Sequence, residues 1–224
     1  DDYCMNQVTE AFEVLFNWAT WTGASGFGVR LVEHLWYTLA AVGIALVIAL
    51  PIGLAIGHFH RFLNLTVATT GMIRALPTLG LLTLVALFTG LGLIAPMVAL
   101  VTLAIPSILA GAYSGVESVD GRVVDAARAQ GMSGWQVLYS VEVPLGMPLL
   151  IGGIRTATVQ VAGTAILAAY VGAGGLGAPL FLGLRTYDYP LLLAASLVVI
   201  ALAIVLDICF EIIVRLIRKL PGMS

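Results

Sequence analysis

Long charge-free runs separated by short polar stretches dominate the chain. Residues 35–57 contain no charged side chain, and Trp36 and Tyr37 stand at the front edge of that run. Aromatic residues of this kind favour the boundary between membrane and water. A helical crossing needs about 20 predominantly apolar residues, so 35–57 is predicted to be the first span, followed by a polar turn over 58–64. Residues 75–116 are again charge-free, too long for one crossing of a hydrocarbon core ~30 Å thick. The stretch Thr89-Gly90-Leu91-Gly92-Leu93-Ile94-Ala95-Pro96 is the natural break. It divides span two, residues 65–88, from span three, residues 95–116. Span four is predicted over 144–171 and span five over 191–216.

Between spans three and four lies the most polar stretch, with Glu117, Asp120, Arg122, Asp125, Arg128 and Glu142. Near the start, the apolar residues 8–16 are interrupted by Glu10 and Glu13. They are too short and too charged to span, and read as an interfacial helix with Trp18 and Trp21 near the headgroups. The predicted fold is an all-α integral membrane protein with about five transmembrane helices.

Composition supports the same solvent. Of 224 residues, 60% are hydrophobic and only 10% charged, with a mean hydropathy of +1.05. A soluble domain carries about 25% charged residues, so this chain needs lipid around it. The net charge of −2 comes with no basic run for nucleic acid and no acidic tail. The one lysine, Lys219, follows Arg218 and precedes Leu220-Pro221. A phosphate-binding loop needs a lysine after a glycine-rich turn, so ATP hydrolysis has to come from another chain. Cys4 and Cys209 lack the spacing of a zinc site or redox pair and read as unpaired thiols. No removable signal peptide is visible, and the chain opens Asp1-Asp2-Tyr3, as a trimmed start would.

Orientation follows from the basic residues. With five crossings, one face receives Arg61, Arg122, Arg128, Arg215, Arg218 and Lys219, and the other Arg30 and Arg185. The richer face is expected to be cytoplasmic, which puts the N-terminus outside and the C-terminus inside. The polar stretch 117–142 is then a cytoplasmic loop.

Within that loop the chain reads Asp125-Ala126-Ala127-Arg128-Ala129-Gln130-Gly131, then nine residues, then Val141-Glu142-Val143-Pro144. The first part favours helix. An acid near the helix start complements the macrodipole, and Gly131 can end the helix in a left-handed cap. The alanines leave a slim surface that can enter a groove, and Trp135 opens the next segment as a packing anchor. This pattern resembles the signature of ABC importer permeases: Glu-Ala-Ala, three residues, Gly, nine residues, then aliphatic, any, aliphatic and often Pro. Asp125 replaces the usual Glu, and valines fill the aliphatic positions. An ordinary amphipathic loop is the alternative.

Further stretches resemble the osmoprotectant branch of those permeases, which serves glycine betaine, choline and carnitine. They are Glu33-His34-Leu35-Trp36-Tyr37-Thr38-Leu39, Ile73-Arg74-Ala75-Leu76-Pro77-Thr78-Leu79-Gly80-Leu81-Leu82, Ile154-Arg155-Thr156-Ala157-Thr158 and Ala168 to Gly177. The last also resembles methionine importer permeases. The resemblance implies the MetI-like ABC permease fold over 31–217, with a coupling loop at 117–143, an interfacial segment at 1–30 and a cytoplasmic tail at 218–224. It implies no catalytic residue and no cofactor in this chain, with ATP and Mg²⁺ on a partner ATPase. The partners implied are an ATPase subunit dimer, a second permease copy or paralogue, and an extracellular substrate-binding protein. The localisation implied is the bacterial cytoplasmic membrane, and transport is by alternating access. Asp125, Ala126, Ala127, Gly131, Trp135 and Pro144 would couple to the ATPase. Arg185, Tyr187, Asp188 and Tyr189 would meet the binding protein, or form a plain interfacial loop. A permease for methionine or another small solute is the alternative within the class, and an ion-coupled secondary transporter the alternative outside it. The latter often shows an internal repeat, and none is visible. No nucleophile–base or metal set suggests a membrane enzyme.

Gly172-Ala173-Gly174-Gly175-Leu176-Gly177 satisfies the dinucleotide pattern formally but follows a membrane span rather than a strand. A tight turn with closely approaching helix ends is the expectation. His58 and His60, with no cysteine or nearby acid, make a poor metal site and read as part of an interfacial turn. Three charges lie inside spans. At ~1.5 Å per residue, Arg74, Arg155 and Asp207 sit roughly 15 Å from the inner ends of their spans. Such charges are costly unless paired or facing water. Asp207 is predicted to pair with Arg155, either locking helices or gating, while Arg74 faces the pathway or backbone carbonyls.

Overall fold

The computed structural model describes residues 2–59 and 63–218, with side chains over 5–59 and 65–217. Among these residues every regular element is helical. The predicted interfacial segment forms α1 (Asp2–Phe16) and the single turn α2 (Trp18–Trp21). The Asn17 side chain caps α2 by accepting from the Ala19 amide, and Trp21 Nε1 donates to the Leu15 carbonyl at 2.8 Å. His60, Arg61 and Lys219 lie outside the described residues, as do the side chains of Cys4 and Arg218.

The first span is longer than its charge-free core. Helix α3 (Phe27–Phe59) begins eight residues before Leu35 and takes in Arg30, Glu33 and His34. Arg30 and Glu33 neutralise each other one turn apart at 2.9 Å, which lets the helix extend through them. Span two is not one helix but α4 (Leu63–Ala75) and α5 (Thr78–Thr89). The break at Leu76-Pro77 follows from Pro77, which has no amide hydrogen and pushes the residue before it out of helical geometry. Helix α6 (Ile94–Glu117) forms span three. The polar loop folds into α7 (Gly121–Ala129) and α8 (Gly134–Val137), then a π-helical turn over Leu138–Glu142. Span four is α9 (Val143–Thr164), tightening to a 3₁₀ helix over Ala165–Val171. A further helix, α10 (Gly177–Thr186), precedes α11 (Tyr189–Arg218), the fifth span. Four runs are long and apolar enough to cross a membrane, and the broken α4–α5 pair makes five if it crosses as one.

The chain divides into two compact units, and each long helix contributes to both. The first comprises Asp1–Ala41, Pro77–Leu100 and Val159–Val205. Its core gathers Ala11, Phe27, Leu176, Ala194, Ala195 and Val198, with a second cluster of Leu82, Ala99 and Val171. The glycine loop is strapped to α3 here. Glu33 accepts from the Gly175 amide at 2.9 Å, Tyr37 donates to the Ala173 carbonyl at 2.6 Å, and His34 hydrogen-bonds the Ala162 carbonyl at 2.8 Å. Gly172, Gly174 and Gly175 all take positive φ, and a side chain on Gly177 would strike the Ile166 carbonyl. The expected tight turn is therefore present.

The second unit comprises Val42–Leu76, Val101–Thr158 and Leu206–Ser224. One apolar cluster in it gathers Leu54, Ala112, Val116 and Leu138. Its helices also approach closely backbone to backbone. A Cβ added at Gly111 of α6 would sit 2.7 Å from the Gly153 Cα of α9, and one at Gly115 would sit 2.7 Å from the Gly146 carbonyl. On α3, a Cβ at Gly53 would meet Ala112 at 2.6 Å and one at Gly57 would meet Val116 at 2.8 Å. Small residues four apart let helices touch in a membrane, where apolar burial no longer drives association.

Gly146→Val is expected to destabilise by about 1–3 kcal/mol, the usual cost of overpacking. Gly43→Ala, with nothing within 4 Å of the added carbon, is expected to be neutral or stabilising. Thermal unfolding in detergent checks both, and equal midpoints would refute the close-packing account.

Candidate functional site: a capped loop helix and an open groove

Both ends of α7 are closed by the sequence around it. Asp120 caps the start, its Oδ1 accepting from the Arg122 amide at 2.9 Å, while the Arg122 guanidinium grips the same carboxylate at 2.6 Å. Hydrogen bonding to Arg122 holds the Asp120 carboxyl below the usual aspartate range. The cap is therefore complete at neutral pH and is lost only as pH falls through that lowered value. At the other end Gly131 adopts φ +86°. Its amide bonds the Arg128 carbonyl at 2.9 Å and the Met132 amide reaches back to Ala127 at 3.3 Å, a Schellman closure. Asp125 thus sits mid-helix rather than near the start, because Asp120 takes the capping position five residues earlier. Ala127 faces inward and is buried, whereas Asp125, Ala126, Arg128 and Ala129 are exposed. The outward face is slim and carries one charge of each sign.

The next segment begins with a capping box in which Ser133 and Gln136 satisfy each other's amides. Trp135 is 67% exposed and stacks on Tyr139 at 5.9 Å. Within this chain its packing partner is Tyr139, because α8 is one turn long and presents Val137 to the core instead. In the π turn the Val143 amide bonds the Leu138 carbonyl, five residues back. Pro144 supplies no amide for the Ser140 carbonyl, which permits the widened turn. Glu142, on that turn, is buried and lies 2.5 Å from Nδ1 of His58, itself 8% exposed, in the last turn of α3. A cavity of about 220 Å³ adjoins this pair, lined by residues including Pro51, Leu54, Trp135 and Tyr139. The sequence placed no acid near His58, because Glu142 is 84 residues away. Among the described residues no cluster could hold a metal.

Arg155 and Asp207 meet, with Nε and Nη2 donating to the two carboxylate oxygens at 2.6 and 2.8 Å. Glu211 accepts from Arg155 Nη1 and, at 2.9 Å, from Arg215 Nε. The result is a four-residue network with no net charge. Helical spacing could have announced it, since Asp207, Glu211 and Arg215 recur every fourth residue on α11. Arg74, in the last turn of α4, has no carboxylate partner among the described residues. It lines an open groove of about 420 Å³ with Ser107, Gly111, Ser114, Gly152 and Thr156.

Residues 49–219 match the family model described as binding-protein-dependent transport system inner membrane component. The chain belongs to this family. It is a membrane-spanning permease subunit of an ABC importer. It is 31% identical over 194 residues to the glycine betaine/carnitine/choline transport system permease protein OpuCB of Bacillus subtilis (strain 168), covering 86% of this chain and 89% of that protein. It is 32% identical over 179 residues to the carnitine transport permease protein OpuCB of Listeria monocytogenes, covering 80% and 82%. Among solved structures, the inward-facing MetNI methionine ABC transporter superposes with a TM-score of 0.75 at 23% identity, covering 85% of this chain and 96% of that one. That likeness bears on the fold alone.

The remaining residues singled out in the permease lie around the α10–α11 corner. Arg185, Tyr187, Asp188 and Tyr189 are all exposed. Tyr187 takes φ +59°, an uncommon conformation for a bulky residue. Asp188 Oδ1 accepts from the Leu191 amide at 3.0 Å and so caps α11.

Two outcomes follow for the permease. Glu142→Ala leaves the His58 imidazole unpaired in a buried position, at a cost of roughly 1–3 kcal/mol. His58→Ala should add little to it, and a double-mutant cycle by thermal unfolding in detergent should show coupling of about 1 kcal/mol or more. Strict additivity would exclude an energetic link between His58 and Glu142. Arg155→Leu strands two carboxylates and is expected to cut recovery of folded protein from membranes severely, with Arg155→Lys largely restoring it. Equal recovery of all three proteins by size-exclusion chromatography would count against the network.

Proposed function

We propose that this permease translocates osmoprotectants, namely glycine betaine, carnitine and choline, in an importer powered by a separate ATPase dimer. A second permease copy or paralogue and an extracellular binding protein complete the assembly. The single observation that carries the coupling role is the exposed, doubly capped helix α7, whose sequence fits the importer signature. Its slim outward face suits a cleft of the ATPase, with Asp125, Ala126, Gly131 and Trp135 at the contact and Ala127 and Pro144 shaping its base. Movement of that helix passes to α3 through His58 and Glu142 and to α9 through the π turn, so ATP-driven closure of the ATPases changes access to the pathway. The basic residues favour α7 on the cytoplasmic side, with the N-terminus outside, the C-terminus inside, and Arg185, Tyr187, Asp188 and Tyr189 on the face that receives the binding protein. Arg155 and Asp207 lock α9 to α11 during that movement. The solute class rests on the relatives, which are named for glycine betaine, carnitine and choline transport.

Labelled glycine betaine uptake at high osmolarity is expected to require this chain and to be abolished by Gly131→Asp, since a side chain at φ +86° strains the helix end. Choline, carnitine and methionine serve as competitors. Betaine uptake that survives deletion of the chain, with methionine uptake lost instead, would move the permease to another solute and leave the coupling role standing.

A further inference from the structure

Arg74 is the one intramembrane charge among the described residues whose neutralisation the fold does not provide. Arg155 spends its donors on Asp207 and Glu211, and Arg30 on Glu33. Arg74 is instead exposed, in the last helical turn before the Leu76-Pro77 break, and borders the 420 Å³ groove. An unpaired guanidinium inside a span is costly unless it faces water, so the groove is a wet surface and not a lipid-facing one. Its walls are set by chemistry as well as by space. Ser107, Ser114 and Thr156 bring hydroxyls, while Ala110, Gly111, Gly152 and Gly153 keep the floor low. None of its nine lining residues is acidic or aromatic.

We propose that this groove is a solute-contacting station of the pathway, in which Arg74 takes the carboxylate of a zwitterionic solute. The inference rests on the osmoprotectant reading above and narrows it. A guanidinium presents paired N–H donors that match a carboxylate in a bidentate fork. A quaternary ammonium is held by the faces of aromatic rings or by carboxylates, and the groove offers neither. The station therefore grips one end of glycine betaine or carnitine and leaves the methylated end loose. Choline has the same cationic end and a hydroxyl in place of the carboxylate, so Arg74 opposes it. The groove is open, so the hold is weak enough for release, as passage through a pathway requires.

The test uses the complete importer in proteoliposomes, with the binding protein saturated by each solute in turn so that its affinities drop out. Initial ATP-driven uptake of glycine betaine and of choline is measured for the wild type, R74Q and R74K. The betaine-to-choline ratio is expected to fall roughly tenfold or more in R74Q, the loss of one charge-assisted contact, and to lie between R74Q and the wild type in R74K. A ratio unchanged in R74Q overturns the assignment, and so does a parallel fall in both solutes, which marks a merely structural arginine. Should R74Q fail to assemble, R74K alone decides, because the Lys charge without the bidentate fork is expected to lower the ratio measurably. A wild-type importer that moves methionine but neither betaine nor choline removes the osmoprotectant reading itself, an outcome distinct from a wild type that carries betaine with an Arg74-independent ratio.

Discussion

Helices surrounded by lipid gain little from pressing apolar side chains together, because the acyl chains offer an equivalent environment. What holds this permease's helices to one another is how closely their backbones can approach, and that depends on glycine and alanine at the crossings. In the second unit Gly111 meets Gly153, Gly115 meets Gly146, and Gly53 and Gly57 of α3 lie against Ala112 and Val116. Contacts at this range bring many atoms into van der Waals distance at once, each gaining little but summing to a substantial attraction. The long, mostly apolar side chains point outward, where Val47, Leu87 and Phe88 are among the most exposed. Everything else in the unit, including where His58 meets Glu142, depends on those crossings being in register.

The same solvent dictates how charge is handled. Arg155, Asp207, Glu211 and Arg215 cancel as a network between α9 and α11. Breaking one member leaves a charge that lipid cannot solvate, so the network ties the two helices together at fixed register. Arg74 follows the opposite logic. It is left without a counter-charge, which is tolerable only beside water, and it stands where α4 ends and the chain breaks at Pro77.

The coupling role proposed for α7 needs a surface element that holds its shape while being pushed. Helix α7 is only nine residues long, too short to be stable on its own in water. Asp120 at one end and Gly131 at the other satisfy amides and carbonyls that a short helix leaves open, and Ala127 seats it on the unit. Behind it the π turn and the His58–Glu142 contact connect the loop to α3 over a very short path. A rigid element joined to two helices by buried contacts transmits displacement better than one that yields.

Much of this was legible in the residues alone. Charge-free length determined the membrane class and roughly where the spans lie, since no water-soluble surface could be built from so few charges. Asp125-Ala126-Ala127 with Gly131 marked a short helix and its glycine end, because cap chemistry and spacing are local. Arg155 with Asp207 could be foreseen from depth, as an intramembrane charge demands a partner or water. Other features were decided only by tertiary structure. The sequence placed Asp125 near a helix start, but the true start depended on which acid captured the first free amides, and the side of the one-turn α8 that faces inward fell to Val137 rather than Trp135. The broken span at Pro77 was hidden because a charge-free run reads the same whether straight or broken. His58 and Glu142 met through packing of α3 against the loop, with no periodicity to join positions so far apart. Local hydrogen bonding and solvent preference are written along the chain, whereas the meeting of distant residues is set by which helices can approach closely enough to touch.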